Sequence, residues 1–117
     1  MEKTTIRLDT NFVISEIYSR IFGGFLEHIG RAVYQGVYEP ESLLSAEDGF
    51  RTDVMTALKK LNMTAMRYPG GNFVSGYHWM GGVGPKDGRP VVRELAWQSL
   101  DPNTFGTDEF INLCKKN

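Results

Sequence analysis

The spacing of apolar side chains predicts an amphipathic helix over residues 48–61. Within DGFRTDVMTALKKL, apolar residues recur at the three- and four-residue intervals of one helix face, at Phe50, Val54, Ala57, Leu58 and Leu61. Charged residues such as Asp53 and Lys60 occupy the opposite face. Asn62 is placed to end this helix, because asparagine tolerates the left-handed conformation.

Three shorter stretches have the pattern of β-strands. Residues 4–14 alternate apolar and polar side chains in part, which predicts one or two edge strands facing a core. Residues 21–27 form an apolar run that two glycines interrupt. Residues 63–67 predict a buried strand that leads into a Pro-Gly-Gly turn.

The rest of the chain predicts two loops and a second helix. Residues 31–40 are expected to form an irregular loop, and residues 73–105 a long one of the kind that is usually functional or disordered. A helix is expected over residues 110–116, with Thr107 as its N-cap. Strands thus alternate with helices, which predicts an α/β fold with a parallel sheet.

Composition narrows the range of functions. The 117 residues carry a net charge of -1 and no long basic run, so nucleic acid is not an expected partner. The apolar runs are too short to span a membrane, and the N-terminus lacks a secretory signal, so we expect a cytoplasmic protein. The single cysteine, Cys114, excludes an intrachain disulfide and a cysteine metal cluster. Because the last residues fall within a predicted helix, we expect the front part of a longer protein.

Polar residues follow two of the predicted strands, at the ends where parallel sheets bind ligands. Glu27 and His28 follow the first strand, while Arg67 and Asn72 flank the turn after the second, within RYPGGN. Two interpretations stay open. Glu27 and Arg67 could form a structural ion pair, or they could bind a ligand. Asn72 could equally be an ordinary turn residue.

Other candidates have similar alternatives. Trp79 and Trp97 lie in the long loop and could stack on a sugar or belong to the core. His28 could be a base or a metal ligand, but a lone histidine more often orients a neighbour by a hydrogen bond, and we favour that role. The glycine pairs at 70–71 and 81–82 lack the Gly-Lys-Ser/Thr of a phosphate loop.

Four motifs in order identify a resemblance. They are residues 24–34 (GFLEHIGRAVY), residues 67–73 (RYPGGNF), residues 76–79 (GYHW) with Gly84-Pro85, and residues 105–110 (FGTDEF). Together they resemble the N-terminal part of intracellular, exo-acting α-L-arabinofuranosidases of glycoside hydrolase family 51. The resemblance runs from about residue 14 to the end of the chain.

The resemblance implies the N-terminal part of a (β/α)8 barrel. Residues 1–14 would supply strands to a C-terminal β-sandwich missing from this chain, and residues 15–117 the first two βα units. The implied reaction is retaining hydrolysis that releases terminal α-L-arabinofuranosyl residues from arabinan and arabinoxylan oligosaccharides. We expect no cofactor and no metal, an arabinofuranosyl oligosaccharide as substrate, and a homo-oligomeric parent enzyme.

The resemblance also implies residue roles. Glu27 and Asn72 would hydrogen-bond the arabinose hydroxyls, and Arg67 would support the nucleophile. Trp79 and Trp97 would stack on sugar or form the rim. Neither catalytic carboxylate is expected on this chain, because in this family both come from later strands.

Two segments depart from the family pattern. They are Met80-Gly81-Gly82, without the expected acidic residue, and Leu100-Asp101-Pro102-Asn103, which replaces a Glu-Ser/Thr-Asn segment; both are expected at the outer rim. Two rival functions remain. One is a carbohydrate-binding module, which should be all-β, and the other is a barrel enzyme of different chemistry, such as an isomerase or another glycosidase.

Overall fold

A computed structural model describes residues 2–117, so Met1 lies outside the described residues. The helices and strands, in chain order, are β1 (Gly24–Phe25), α1 (Thr52–Leu61), β2 (Met66–Arg67), β3 (Val92–Glu94), β4 (Ser99–Asp101) and α2 (Thr107–Lys116). Short 3-10 turns lie at residues 19–22, 73–76, 79–82 and 86–88. No helix within residues 2–117 is long and apolar enough to cross a bilayer.

Strands β1 and β2 pair in parallel, as the sequence predicts. Gly24 lies opposite Met66 and Phe25 opposite Arg67. The backbone N–H of Leu26 continues the ladder by donating to the Arg67 carbonyl at 2.8 Å. Both strands are shorter than predicted, but their C-terminal ends lie side by side.

Helix α1 begins at Thr52, four residues later than predicted, and ends as expected, because Asn62 is left-handed with φ 49°. Its buried face differs in part from the predicted stripe. Met55 is buried, whereas Leu61 remains 66% exposed. The helix contacts the core along its first two turns, so the expectation for the last turn was wrong within the described part of the chain.

The core lies between α1, α2 and the loop at residues 31–40. Its most deeply buried side chains are Phe105, Leu113 and Val33. The loop was expected to be irregular, and it does consist of turns. However, Val37 and Tyr38 are also buried, and Tyr38 packs edge-on against Phe105 with ring centroids 5.6 Å apart. The loop is therefore part of the hydrophobic core.

The long segment at residues 73–105 is ordered by a β-hairpin that the sequence analysis missed. Strands β3 and β4 are antiparallel, with Val92 opposite Asp101 and Glu94 opposite Ser99. The predicted N-cap was also wrong by one position. Thr107 is the first residue of α2, and Gly106 holds the cap position.

The N-terminal segment does not form the predicted edge strands. Residues 2–18 contain no helix or strand, and Leu8 and Ile14 are almost fully exposed. A strand needs a partner for its backbone N–H and C=O groups. None of the described residues pairs with this segment, which explains the difference.

Candidate functional site

The carboxylate of Glu27 lies inside the turn that follows β2. Glu27 is two residues beyond β1 and is buried, with 8% exposure. The backbone N–H of Phe73 donates to its Oε1 at 3.3 Å. The turn itself contains a cis peptide bond between Tyr68 and Pro69. The two strand ends therefore meet through one carboxylate and one backbone amide.

Gly71 allows this close approach. Its φ of 35° lies in the left-handed region, and a Cβ at this position would stand 2.0 Å from Glu27 Oε2. No side chain could occupy that space without displacing the carboxylate. The second glycine of the Pro-Gly-Gly sequence is thus explained by the position of Glu27.

Arg67 does not form the ion pair that one interpretation proposed. Within residues 2–117 no ion pair joins Arg67 and Glu27. The Arg67 guanidinium instead lies 5.0 Å from the centroid of the Phe25 ring. Arg67 also lines a cavity of about 270 Å³ with Tyr68, Gly70 and other residues of the turn. The guanidinium is exposed and open to a further partner.

Asn72 lies in the turn directly before Phe73. It is exposed, and its backbone carbonyl accepts the N–H of Ser75 at 3.2 Å. The side-chain amide of Asn72 thus belongs to the residue directly before Phe73, whose backbone N–H donates to Glu27. Glu27, Arg67 and Asn72 are thereby gathered around the same turn.

His28 contacts both ends of this turn. Its ring stacks on Phe73 with centroids 4.2 Å apart, and Nε2 lies 2.9 Å from the Tyr68 hydroxyl. That hydroxyl donates to the Phe105 carbonyl at 3.1 Å. The direction of the bond between His28 Nε2 and the Tyr68 hydroxyl depends on the tautomer of the ring. His28 orients its neighbours, as the sequence suggested.

Burial keeps His28 in its neutral form. Burial lowers the pKa of His28 below its ordinary value of 6.5. The carboxylates of Asp101, Glu94 and Glu27 act in the opposite direction but do not outweigh burial. His28 Nδ1 and Asp101 Oδ2 are both buried, and neither has a hydrogen-bond partner among residues 2–117.

Trp97 lies beside His28, whereas Trp79 does not. A cavity of about 260 Å³ has a wall that includes His28, Tyr34, Phe73, Trp97 and Asp101. We call it the His28 cavity. Trp97 is 40% exposed on this wall. Trp79 is 60% exposed in a 3-10 turn and lines neither this cavity nor that of Arg67.

The two departing segments are partly buried: Met80 and Leu100 are exposed, whereas three other residues are packed inside, and a place at the rim of the sugar pocket stays a prediction. Asp101 and Asn103 are almost fully buried, as is Gly82. The Tyr34 hydroxyl donates to Asp101 Oδ1 at 2.7 Å, and the Asn103 N–H donates to the same oxygen at 2.9 Å. These residues hold the hairpin onto the core.

The sequence analysis did not predict a buried ion pair between Arg89 and Glu109. Arg89 contacts both carboxylate oxygens, at 2.8 and 3.2 Å. The guanidinium also donates to the carbonyls of Gly84 and Asn103. Burial raises the pKa of Glu109, but hydrogen bonds from Arg89 and Gly106 outweigh it and hold that pKa below its usual range. Nothing in the spacing of Arg89 and Glu109 along the chain signals this pair.

Comparison with known proteins identifies the family. The family model described as "Alpha-L-arabinofuranosidase 1 domain" matches residues 57–117, slightly more than half of the chain. The chain belongs to the α-L-arabinofuranosidase family. Within this family, the "Intracellular exo-alpha-(1->5)-L-arabinofuranosidase" of Acetivibrio thermocellus is 52% identical over 116 residues, which are 99% of this chain and 23% of that protein.

Solved arabinofuranosidases have the same fold over this region. The thermostable GH51 α-L-arabinofuranosidase of Thermotoga petrophila RKU-1 matches 89% of the chain with a TM-score of 0.86 and 54% identity. An α-L-arabinofuranosidase of Thermotoga maritima, solved as an arabinose complex, matches 80% with a TM-score of 0.79 and 56% identity. The chain covers 22% and 20% of these structures. It therefore spans about a fifth of the length of its relatives.

Proposed function

We propose that this chain is the N-terminal portion of a retaining, exo-acting α-L-arabinofuranosidase, where it supplies one side of the sugar-binding pocket. The observation that carries the proposal is the buried Glu27 carboxylate, held by the Phe73 N–H inside the turn that bears Asn72. A carboxylate and an amide at one strand end can together accept and donate hydrogen bonds to vicinal sugar hydroxyls.

The geometry of Glu27 suits this role. Oε1 accepts the Phe73 N–H, and Oε2 has no hydrogen bond to a described residue. One oxygen thus fixes the carboxylate while the other remains for a sugar hydroxyl.

Arg67 supports the same assignment. Its guanidinium is held over Phe25 and carries no carboxylate partner among residues 2–117. In a retaining glycosidase two carboxylates stand roughly 5–5.5 Å apart, one acting as acid/base and the other as nucleophile. We assign both to the part of the enzyme outside this chain, and we assign to Arg67 the support of the nucleophile in its ionised form.

The proposal extends to the wider architecture. The parallel β1–β2 pair would start a (β/α)8 barrel, with residues 15–117 as its first two βα units. Residues 1–14 would then pair with a C-terminal β-sandwich, which accounts for the exposed apolar side chains such as Leu8 and Ile14. A relative is named intracellular, which supports a cytoplasmic location.

The substrate would be an arabinan or arabinoxylan oligosaccharide, and the parent enzyme a homo-oligomer. The α/β organisation speaks against the carbohydrate-binding module, which should be all-β. The names of the relatives speak against an isomerase or a glycosidase for another sugar.

The test is hydrolysis by the full-length protein. We expect it to cleave an aryl α-L-arabinofuranoside with retention of anomeric configuration, followed by proton NMR. We expect Asn72→Ala to lower kcat/KM about tenfold, the scale of one lost hydrogen bond, with an unchanged melting temperature. Residues 1–117 alone should show no turnover. Absence of hydrolysis by the full-length protein, or turnover by the isolated chain, would contradict the proposal.

A further inference from the structure

The β3–β4 hairpin carries Trp97 to the wall of the His28 cavity. Its loop, residues 95–98, has four residues and contains neither glycine nor asparagine. Gln98 instead adopts a positive φ of 53°, which costs energy for a residue other than glycine. Hydrogen bonds from a side chain to the backbone of this loop can offset that cost.

Glu94 supplies these hydrogen bonds. The backbone N–H groups of Ala96 and Trp97 donate to its two carboxylate oxygens at 2.6 and 2.5 Å. Glu94 is 8% exposed, and within residues 2–117 it forms no ion pair. A buried carboxylate is costly unless hydrogen bonds satisfy it, so the two short bonds define one conformation of the loop.

The base of the hairpin is fixed as well. Asp101, at the end of β4, accepts the Tyr34 hydroxyl from the core loop at 2.7 Å. Trp97 is thus attached to the molecule through Glu94 at the tip and Asp101 at the base. Of these two, only Glu94 bonds to the backbone of Trp97 itself.

We propose that Glu94 is a positioning residue that holds Trp97 against the His28 cavity and thereby sets affinity for the sugar to which the arabinofuranosyl unit is attached. The inference rests on the proposed function. An indole at 40% exposure offers an apolar face, and a sugar ring can bury its own apolar face against it. Phe73 lines this cavity and its N–H also binds Glu27, so the cavity adjoins the proposed arabinose site, and the expected ligand is the neighbouring sugar unit in the leaving-group position.

The experiment compares two substrates in the full-length enzyme. One is an α-(1→5)-linked arabinobiose, and the other is an arabinofuranosyl fluoride, whose leaving group is too small to stack. We expect Glu94→Ala to raise KM for the disaccharide by about tenfold, the scale of one aromatic contact, with kcat within twofold. Kinetics with the fluoride should change less than twofold. Glu47→Gln, which alters an exposed carboxylate, is the control and should change neither substrate.

A double-mutant cycle distinguishes positioning from general stability. In a Trp97→Ala background, Glu94→Ala should add no further loss, because Glu94 acts through Trp97. Glu94→Gln keeps one carboxyl-type oxygen as acceptor and should show a smaller rise in KM of about threefold. Equal losses with both substrates, or additive losses in the cycle, would overturn the proposal. If Glu94→Ala does not fold, Glu94→Gln decides by the same comparison.

Amide hydrogen exchange separates failure of this inference from failure of the proposed function. Exchange of the Ala96 and Trp97 amides should speed up in Glu94→Ala whether or not the enzyme acts on arabinofuranosides. Unchanged exchange would overturn the positioning role by itself. If the wild-type protein hydrolyses neither substrate but Glu94→Ala still speeds up exchange of these two amides, the anchoring role of Glu94 is upheld and the assigned reaction is refuted.

Discussion

The imidazole of His28 stacks on the ring of Phe73, with centroids 4.2 Å apart and planes inclined by 14°. Phe73 is the residue whose backbone N–H holds the Glu27 carboxylate. His28 also contacts Tyr68 at the start of the same turn. His28 thus contacts the turn at both ends. A substitution at His28 should therefore shift Phe73 and, through the Phe73 N–H, the Glu27 carboxylate.

Protonation of His28 should destabilise the protein in mildly acidic solution. Burial lowers the pKa of His28 in the folded state below the ordinary 6.5. Well above pH 6.5 the ring is neutral in both states, so this contribution to stability is constant. As the pH falls below 6.5, the unfolded chain binds the proton first, so stability decreases until the folded-state pKa is passed.

The measurement is denaturant unfolding of the full-length enzyme at pH 7 and pH 5. The loss of stability between these values should be smaller in His28→Gln than in the wild type. His78→Gln removes the other histidine of this chain, which is exposed, and should leave the wild-type pH dependence unchanged. The same pH dependence in all three proteins would contradict the prediction.

Gly71→Ala should displace Glu27. The new Cβ would lie 2.0 Å from Glu27 Oε2, at a φ of 35° that disfavours alanine. We expect about 1–3 kcal/mol of destabilisation and a loss of at least tenfold in kcat/KM. Gly76→Ala is the matched control, because a Cβ there meets no atom within 4 Å. Equal losses of kcat/KM in Gly71→Ala and Gly76→Ala would contradict the prediction.

Removal of Arg89 should destabilise the region that carries the hairpin. Arg89→Ala removes two hydrogen bonds from the buried Glu109 carboxylate, which keeps the Gly106 N–H and the Lys86 ammonium at 3.6 Å, and should cost about 1.5–3 kcal/mol in the free energy of unfolding. Lys116→Met breaks a more exposed pair with Asp48 and should cost less than about 1 kcal/mol. Chemical denaturation measures both. A cost for Arg89→Ala no larger than that for Lys116→Met would show that the buried pair contributes little.

The sequence predicted the elements that depend on local chemistry. Asn62 ended α1 as expected, and the alternation of strands and helices predicted the parallel pairing of β1 and β2. The placement of Glu27 beside the turn of Asn72 follows from that pairing, because parallel strands bring their C-terminal ends together.

Features that depend on distant contacts could not be predicted in this way. The hairpin was missed because its loop is stabilised by Glu94 rather than by glycine or asparagine. The burial of Asp101 was not predicted, because its bond to Tyr34 joins positions 67 residues apart. The Arg89–Glu109 pair likewise forms only when the fold brings its members together.

The kinetics of Glu27→Gln in the full-length enzyme test the central claim most directly. The glutamine carbonyl can still accept the Phe73 N–H, but the substitution removes the charge that would grip an arabinose hydroxyl. A hydrogen bond to a charged group contributes about 1.5–3 kcal/mol. We therefore predict that kcat/KM for an aryl α-L-arabinofuranoside falls roughly 10- to 100-fold while the melting temperature stays unchanged. An unchanged kcat/KM with a lowered melting temperature would show that Glu27 is structural and would contradict the account.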